Sequence, residues 1–92
     1  MDHTKLSQEQ QDQLLFMMLV QQNQQIALMG MGKEPNPATG KTEKDIKAAK
    51  YAIDTLDMLR RYTAEALSDE MKSFLDNVLN ELRLSYVKES GS

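Results

Sequence analysis

The carboxyl-terminal third of the chain carries the clearest hydrophobic pattern. Its apolar residues recur at intervals of three, one and four, which places them on one face of an α-helix. They are Met71, Phe74, Leu75, Val78, Leu79, Leu82 and Tyr86. Ser68 precedes them and is followed by Asp69 and Glu70, an arrangement typical of a helix N-terminus. The pattern predicts a helix over about residues 69–87.

A second amphipathic pattern lies upstream. Its apolar positions are Ile46, Ala49, Ala52, Ile53, Leu56 and Leu59. Thr42 is the predicted N-cap, because a hydroxyl side chain followed by acidic residues favours a helix start. We expect this helix to span about residues 43–65. The short interval before residue 69 predicts a tight turn, so the second and third helices should form an antiparallel hairpin.

The first predicted helix spans about residues 8–29. Ser7 and Gln10 have the spacing of a capping box at its start. Gly30 is expected to end it in the left-handed conformation that glycine adopts without strain. Further glycines and two prolines predict that residues 30–41 form an irregular loop.

These elements predict an all-α protein with three helices in one domain. A chain of 92 residues is too short for two separate cores. We expect order over about residues 7–88 within a single domain 1–92, with flexible termini that include the polar Ser90-Gly91-Ser92.

The first helix contains more apolar surface than one monomer can cover. Residues 14–20 read LLFMMLV, and at 100° per residue this run covers the whole helix circumference. Exposed apolar patches usually mark interaction sites, so we predict a homodimer or larger homo-oligomer built around this helix. A second interpretation is that the surface receives an amphipathic helix of another protein. The predicted interaction residues are Leu15, Phe16, Met18, Leu19, Gln22 and Ile26.

Gln22 interrupts the apolar line of the first helix. It lies within the polar stretch 21–25 and on the same helix line as Leu19 and Ile26. One interpretation is that its long side chain reaches water. The other is that it hydrogen-bonds to its symmetry mate and fixes the register of a dimer, as polar core residues do in coiled coils.

Composition and charge indicate where the protein is located and which classes of partner it does not bind. The chain has no cysteine, which suits a reducing compartment, and it has no signal-peptide pattern at its start, so we expect a cytoplasmic protein. A net charge of −3 with interleaved charges argues against nucleic acid. The longest apolar run has seven residues, too few to span a membrane.

One motif suggests an alternative function. Gly40-Lys41-Thr42 directly before a predicted helix resembles the end of a phosphate-binding loop. However, Pro35 stands where such a loop needs its first glycine, and prolines lack an N–H donor. The preferred interpretation is a turn, and a regulator that binds a nucleotide or small ligand at this loop is the alternative.

No other set of residues indicates catalysis. Asp54 and Asp57 lie three positions apart, but no further acidic pair or helical histidine completes a metal site, so surface ion pairing is expected. His3 is the only histidine and lies in a terminus expected to be mobile, which does not suit a general base. We therefore predict no enzyme, no cofactor and no metal, with a metal-dependent enzyme as a distant third hypothesis.

The chain also resembles a family of small bacterial proteins known as domain of unknown function 1844. The resemblance covers roughly residues 14–88. The shared features are Phe16, Met29-Gly30, Pro-x-Pro-x-Thr-Gly at Pro35 to Gly40, Ala49-Lys50, residues 53–59, Thr63, Leu67-Ser68, Leu82-Arg83 and Tyr86-Val87. It implies a short helical protein of unassigned function, with no reaction, cofactor or catalytic residue to transfer.

Overall fold

The computed structural model describes residues 6–91. They form three α-helices, α1 (Gln8–Gly30), α2 (Ile46–Tyr62) and α3 (Asp69–Ser90), and no strand occurs among them. The all-α prediction with three helices is therefore confirmed. No helix within this range is long and apolar enough to cross a membrane.

The start of α1 follows the predicted capping box. The Ser7 hydroxyl accepts a hydrogen bond from the backbone N–H of Gln10 at 3.1 Å, and the Gln10 side chain accepts one from the Ser7 N–H at 2.9 Å. The two bonds satisfy two N–H groups that would otherwise lack partners at a helix N-terminus.

The end of α1 differs from the prediction. Gly30 is the last helical residue, and the left-handed glycine is Gly32, with φ of 77°. Gly30 instead allows close approach: a Cβ there would lie 2.7 Å from the Asp45 carbonyl oxygen. The Gly30 carbonyl accepts a hydrogen bond from the Asp45 N–H at 2.7 Å, which holds the start of α2 against the end of α1.

Helix α2 is shorter than predicted at both ends. The prediction that Thr42 is the N-cap is wrong, because Asp45 holds that position and its carboxylate accepts from the Ala48 N–H at 3.1 Å. At the other end, the Thr63 hydroxyl donates to the Leu59 carbonyl at 2.6 Å. Such local bonding by threonine competes with helix continuation, and a turn over residues 63–67 follows.

Helix α3 begins as predicted and ends later. The Ser68 hydroxyl caps it by accepting from the Met71 N–H at 3.2 Å. The helix continues through Ser90, whose hydroxyl donates to the Tyr86 carbonyl at 2.6 Å, so the expectation of disorder at Ser90 is wrong. Ser92 and His3 lie outside the described residues.

The core lies along α2, which packs against both other helices. Helices α1 and α3 contact each other much less than each contacts α2. Small side chains on α2, at Ala49 and Ala52, let α1 approach closely. The buried core comprises Val20, Ala27, Met31, Ala49, Ala52, Ile53, Leu56, Leu75, Val78, Leu79 and Leu82.

Candidate interaction surface

Helix α1 has one face on the core and one face exposed. Val20 and Ala27 are fully buried, and Phe16 and Leu28 pack against the core from its edge. The opposite side carries large apolar side chains that are 41–63% exposed. We call this side the outer face of α1, consisting of Leu14, Leu15, Met18, Leu19, Gln22, Ile26 and Met29.

Five of the six predicted interaction residues lie together on the outer face. Phe16 does not, because it is half-buried against the chain's own core. Its spacing from Val20 and Ala27, four and eleven residues, puts all three on the same side of the helix. Leu14 is a member of the outer face that the prediction omitted, although it belongs to the same apolar run.

The outer face follows a heptad-like line. Positions 15, 19, 22, 26 and 29 advance by four, three, four and three, the spacing at which one helix packs along another. Leu15 is the most exposed of the large apolar side chains on α1, at 63%. Met29 is half-buried at the end of the line.

The segment that contains the outer face has no charged residue. From residue 13 to residue 32 the chain has neither an acidic nor a basic side chain, and Asp12 and Lys33 are the first charges on either side. The part of this segment within α1, residues 13–30, is about 27 Å long at 1.5 Å per residue. Covering this surface therefore requires no desolvation of an ion, which is the most costly step in burying polar groups.

Glutamines provide the polarity of this surface. Gln21, Gln22 and Gln25, with Met18, line a shallow depression of about 240 Å³. The Asn23 side chain donates to the Leu19 carbonyl at 3.1 Å, but the Gln22 amide makes no hydrogen bond within residues 6–91. Its donor and acceptor are therefore available to another molecule.

A cavity of about 200 Å³ lies at the carboxyl-terminal end of the outer face. It exists because Gly30 holds the end of α1 against the start of α2, so the loop between them folds over this corner. Its walls are apolar toward α1 and acidic toward the loop. The lining residues are Ile26, Met29, Gly30, Asn36, Glu43, Asp45 and Ala48.

A second groove runs between α2 and α3, with a volume of about 330 Å³. Ile53, Tyr86 and Val87 provide apolar contacts, but the charged rim is internally paired. Lys50 lies 2.7 Å from Asp54, and the hydrogen bond between them raises the pKa of Lys50. Arg83 lies 2.6 Å from Asp57. These pairs leave the rim with no net charge to select a ligand.

The remaining ion pairs hold the helices and the loop together. Arg60 binds both carboxylate oxygens of Asp76, at 2.8 and 3.3 Å, and this hydrogen bonding lowers the pKa of Asp76. Glu89 lies 2.7 Å from Lys44 and 3.7 Å from Lys33, and the bond from Lys44 lowers the pKa of Glu89. The two lysines flank the loop, so α3 anchors both of its ends.

The loop at Gly40-Lys41-Thr42 does not have the geometry of a phosphate site. The Gly40 N–H donates to the Asn36 carbonyl and the Lys41 N–H donates to the Thr39 hydroxyl, so both amides are used within the loop. A phosphate-binding loop needs such amides free to point at the ligand. Three residues also separate Thr42 from the first residue of α2.

The carboxylates do not assemble a metal site in the described part of the chain. Asp54 and Asp57 are each paired with a basic residue. Residues 6–91 contain no group of three or more acidic, histidine or cysteine side chains that could hold a metal ion.

Comparison with known proteins identifies a family. A family model described as Domain of unknown function (DUF1844) matches residues 13–88, which confirms the resemblance noted in the sequence. No curated protein and no solved structure shows a significant match.

Proposed function

Because the chain belongs to the DUF1844 family, whose name records no function, we propose a function from its own surface. The protein is a small, non-catalytic helical interaction protein that self-associates through the outer face of α1. The observation that carries this proposal is a cluster of five large apolar side chains, 41–63% exposed, on a charge-free helix face. Such clusters on soluble domains mark interaction sites more often than isolated apolar residues do.

The energetics favour a concentration-dependent association. Fully burying a leucine, isoleucine or methionine contributes about 1.5–3 kcal/mol, so completing the burial of a half-exposed one contributes roughly 1 kcal/mol. Five in each of two copies supply about 10 kcal/mol. Association costs about 4–15 kcal/mol in lost rigid-body and side-chain freedom. These terms are close, so monomer and dimer should exchange within an accessible concentration range.

The absence of charge favours a second copy as the partner. In a two-fold contact each surface meets itself, and any charge near the axis would face an identical charge. Residues 13–32 contain none, so the outer face can meet its own copy without repulsion. A different partner would gain no comparable advantage from this composition. The proposal includes the cytoplasmic location that the cysteine-free composition favours.

The ligand-binding alternative finds no support in the loop geometry. The amides of Gly40 and Lys41 are already bonded within the loop. We therefore propose self-association alone.

The decisive experiment is light scattering coupled to size-exclusion chromatography over a wide range of protein concentrations. The wild-type protein should form dimers or larger species as concentration rises. The double variant Leu15→Glu/Leu19→Glu should remain monomeric with unchanged far-UV circular dichroism, because both side chains point away from the core. Leu15 and Leu19 are better test positions than Phe16, whose replacement would also disturb the core.

A matched control is Leu84→Glu on α3. Leu84 is 72% exposed but lies outside the outer face of α1, so this variant should associate like the wild type. A wild-type protein that stays monomeric at every concentration would refute the proposal. So would equal loss of association in the control and the double variant.

A further inference from the structure

We infer that two copies associate in antiparallel orientation, with the two-fold axis at Gln22 and Leu15 of each copy inserted into the cavity at the end of the other copy's α1. This inference rests on the proposed self-association and specifies its geometry. In this register, residue n of one helix faces residue 44 − n of the other, so Leu15 faces Met29 and Gln22 faces Gln22.

The position of the charge-free segment fixes the register of an antiparallel pair. The segment runs from residue 13 to residue 32, and its midpoint lies between residues 22 and 23. Among antiparallel registers, only one with its axis near this midpoint places each charge-free segment fully on the other. Shifting the pairing by one heptad would bring Asp12 opposite Gln25 or Lys33 opposite Met18. Either shift would bury part of an unpaired charge, which is costly.

Charge complementarity at the ends of the contact favours the antiparallel orientation. In this register Asp12 of one copy lies just beyond the end of α1 of the other copy, where the turn that follows the helix carries Lys33. Within one copy, the Gln8 amide donates to Asp12 at 2.9 Å, and Lys33 is 3.7 Å from Glu89. A parallel pair would instead bring Asp12 near Asp12 and Lys33 near Lys33.

The cavity at the end of α1 lies where the second copy presents Leu15. It is lined by Ile26, Met29 and Gly30 of α1, which places it opposite residues 14–18 of a second copy in this register. Leu15 is the most exposed large apolar residue on the facing helix, and about 200 Å³ has room for its four side-chain carbons.

Gln22 then has a specific role at the axis. Its amide makes no hydrogen bond within residues 6–91 and carries both donors and an acceptor. Two such amides on a two-fold axis can donate to each other reciprocally. Because an antiparallel register shifted by one heptad would pair each Gln22 with Leu15 or Met29, Gln22 selects this register over the shifted ones, as a polar residue does in a coiled-coil core.

A distance measurement tests the orientation without changing the outer face. The chain has no cysteine, so Glu9→Cys provides one site for a spin label at the exposed start of α1. In the antiparallel dimer the two labels should be about 39 Å apart, from 26 residues at 1.5 Å each. In a parallel dimer they would be separated by little more than the interhelical spacing of about 10 Å. A short distance would overturn the inference.

Disulfide cross-linking tests the register. Leu15→Cys and Met29→Cys, mixed and oxidised, should give a mixed disulfide dimer, while each variant alone should give little. In the proposed register two copies of either cysteine are about 21 Å apart, beyond the roughly 7 Å limit for a disulfide. Met18→Cys mixed with Ile26→Cys, which face each other in the same register, provides a second test pair in case replacing Leu15 weakens association.

The outcomes separate the two proposals. If light scattering shows no association of the wild type, both proposals fail. If the wild type associates but the labels are close together, or each cysteine variant cross-links with itself, the antiparallel inference fails and self-association stands. A long distance with mixed cross-links supports both.

Discussion

Helices α1 and α3 have almost the same length, 23 and 22 residues, and both begin at a serine that caps the third backbone amide of the helix. Their exposed sides differ. On α3 the exposed side is mostly polar or charged, and Leu84 and Val87 are its only exposed large apolar residues within residues 69–90. The exposed polar residues of α3 are Asp69, Glu70, Ser73, Asn77, Asn80, Glu81, Arg83, Lys88 and Ser90.

The exposed side of α1 has the opposite character. Five large apolar residues lie there among glutamines, and no ion occurs along residues 13–32. An amphipathic helix such as α3 is completed by packing one face in its own chain. Helix α1 packs one face against the core and retains a second apolar face. Folding of one chain therefore buries most of the apolar surface of α3 but leaves a large part of that of α1 exposed. A break in the amphipathic pattern of a helix therefore locates an exposed apolar surface in this protein.

The largest expected difference in the free energy of unfolding is between replacing a buried leucine of α3 and replacing an exposed leucine of α1. Leu75 is fully buried, so Leu75→Ala should lower the free energy of unfolding by about 2–5 kcal/mol through lost burial and a residual cavity. Leu15→Ala should change monomer stability by less than about 0.5 kcal/mol. Urea denaturation at concentrations low enough to keep the protein monomeric measures both. Equal losses would mean that Leu15 packs within its own chain.

The next largest effect on stability is expected at Gly30, where the end of α1 lies against the start of α2 beside the cavity. Gly30→Ala places a methyl group 2.7 Å from the Asp45 carbonyl oxygen and 2.9 Å from the Ala49 nitrogen, and these backbone atoms cannot rotate away. We expect a loss of about 1–3 kcal/mol, typical of overpacking. The control Gln25→Ala on the same helix is exposed and should be neutral or slightly stabilising, since alanine favours helix. Chemical denaturation measures both variants. If Gly30→Ala proved as stable as Gln25→Ala, the prediction would be wrong.

A smaller effect distinguishes the two serine caps. Ser68→Ala should cost about 1 kcal/mol, because the first turn of α3 leads directly to buried Met71. Ser7→Ala removes the same kind of hydrogen bond, but residues 8–12 are all exposed, so local fraying can absorb the loss. Ser7→Ala should accelerate hydrogen exchange in the first turn of α1 with little change in global unfolding. A global loss equal to that of Ser68→Ala would contradict this difference.

The smallest expected effect on stability is the pH dependence that the Arg60–Asp76 ion pair produces. Arg60 lowers the pKa of Asp76 in the folded protein, so the unfolded chain binds this proton more readily. The stabilisation is therefore complete above the ordinary aspartate pKa of about 4 and is lost as the pH falls below it. Thermal unfolding should show Asp76→Asn less stable than wild type at neutral pH, with the difference disappearing near pH 2. A difference that persisted there would contradict a titrating ion pair.

Association through α1 should lack such a pH dependence. Residues 13–32 contain no titratable side chain, so no group of the outer face changes its charge between about pH 5 and 8. The dissociation constant measured by light scattering should therefore be constant over this range. A change of tenfold or more would show that a titratable group outside the outer face participates.

Local sequence signals determined where α1 and α3 begin and which side of α3 is buried. The caps at Ser7 and Ser68 depend on hydrogen bonds spanning three residues, and the apolar period of α3 needs no knowledge of its neighbours. The helical period also placed Gln22 on the same line as Leu19 and Ile26. These features were predictable because the interactions that create them lie within one or two helical turns.

Tertiary structure decided the features that depend on contacts between helices. Within the uniform run 14–20, only packing on α2 determines that Phe16 faces inward and Leu15 faces outward. Thr42 and Asp45 are both good caps by composition, but the hydrogen bond from Asp45 to Gly30 places the start of α2 at the later residue. Gly30 suits either a left-handed cap or a close helix contact, and the approach of α2 selects the second. In each case two local conformations satisfy the same short-range interactions, so the sequence alone does not distinguish them. Contacts between helices determine which of the two conformations forms.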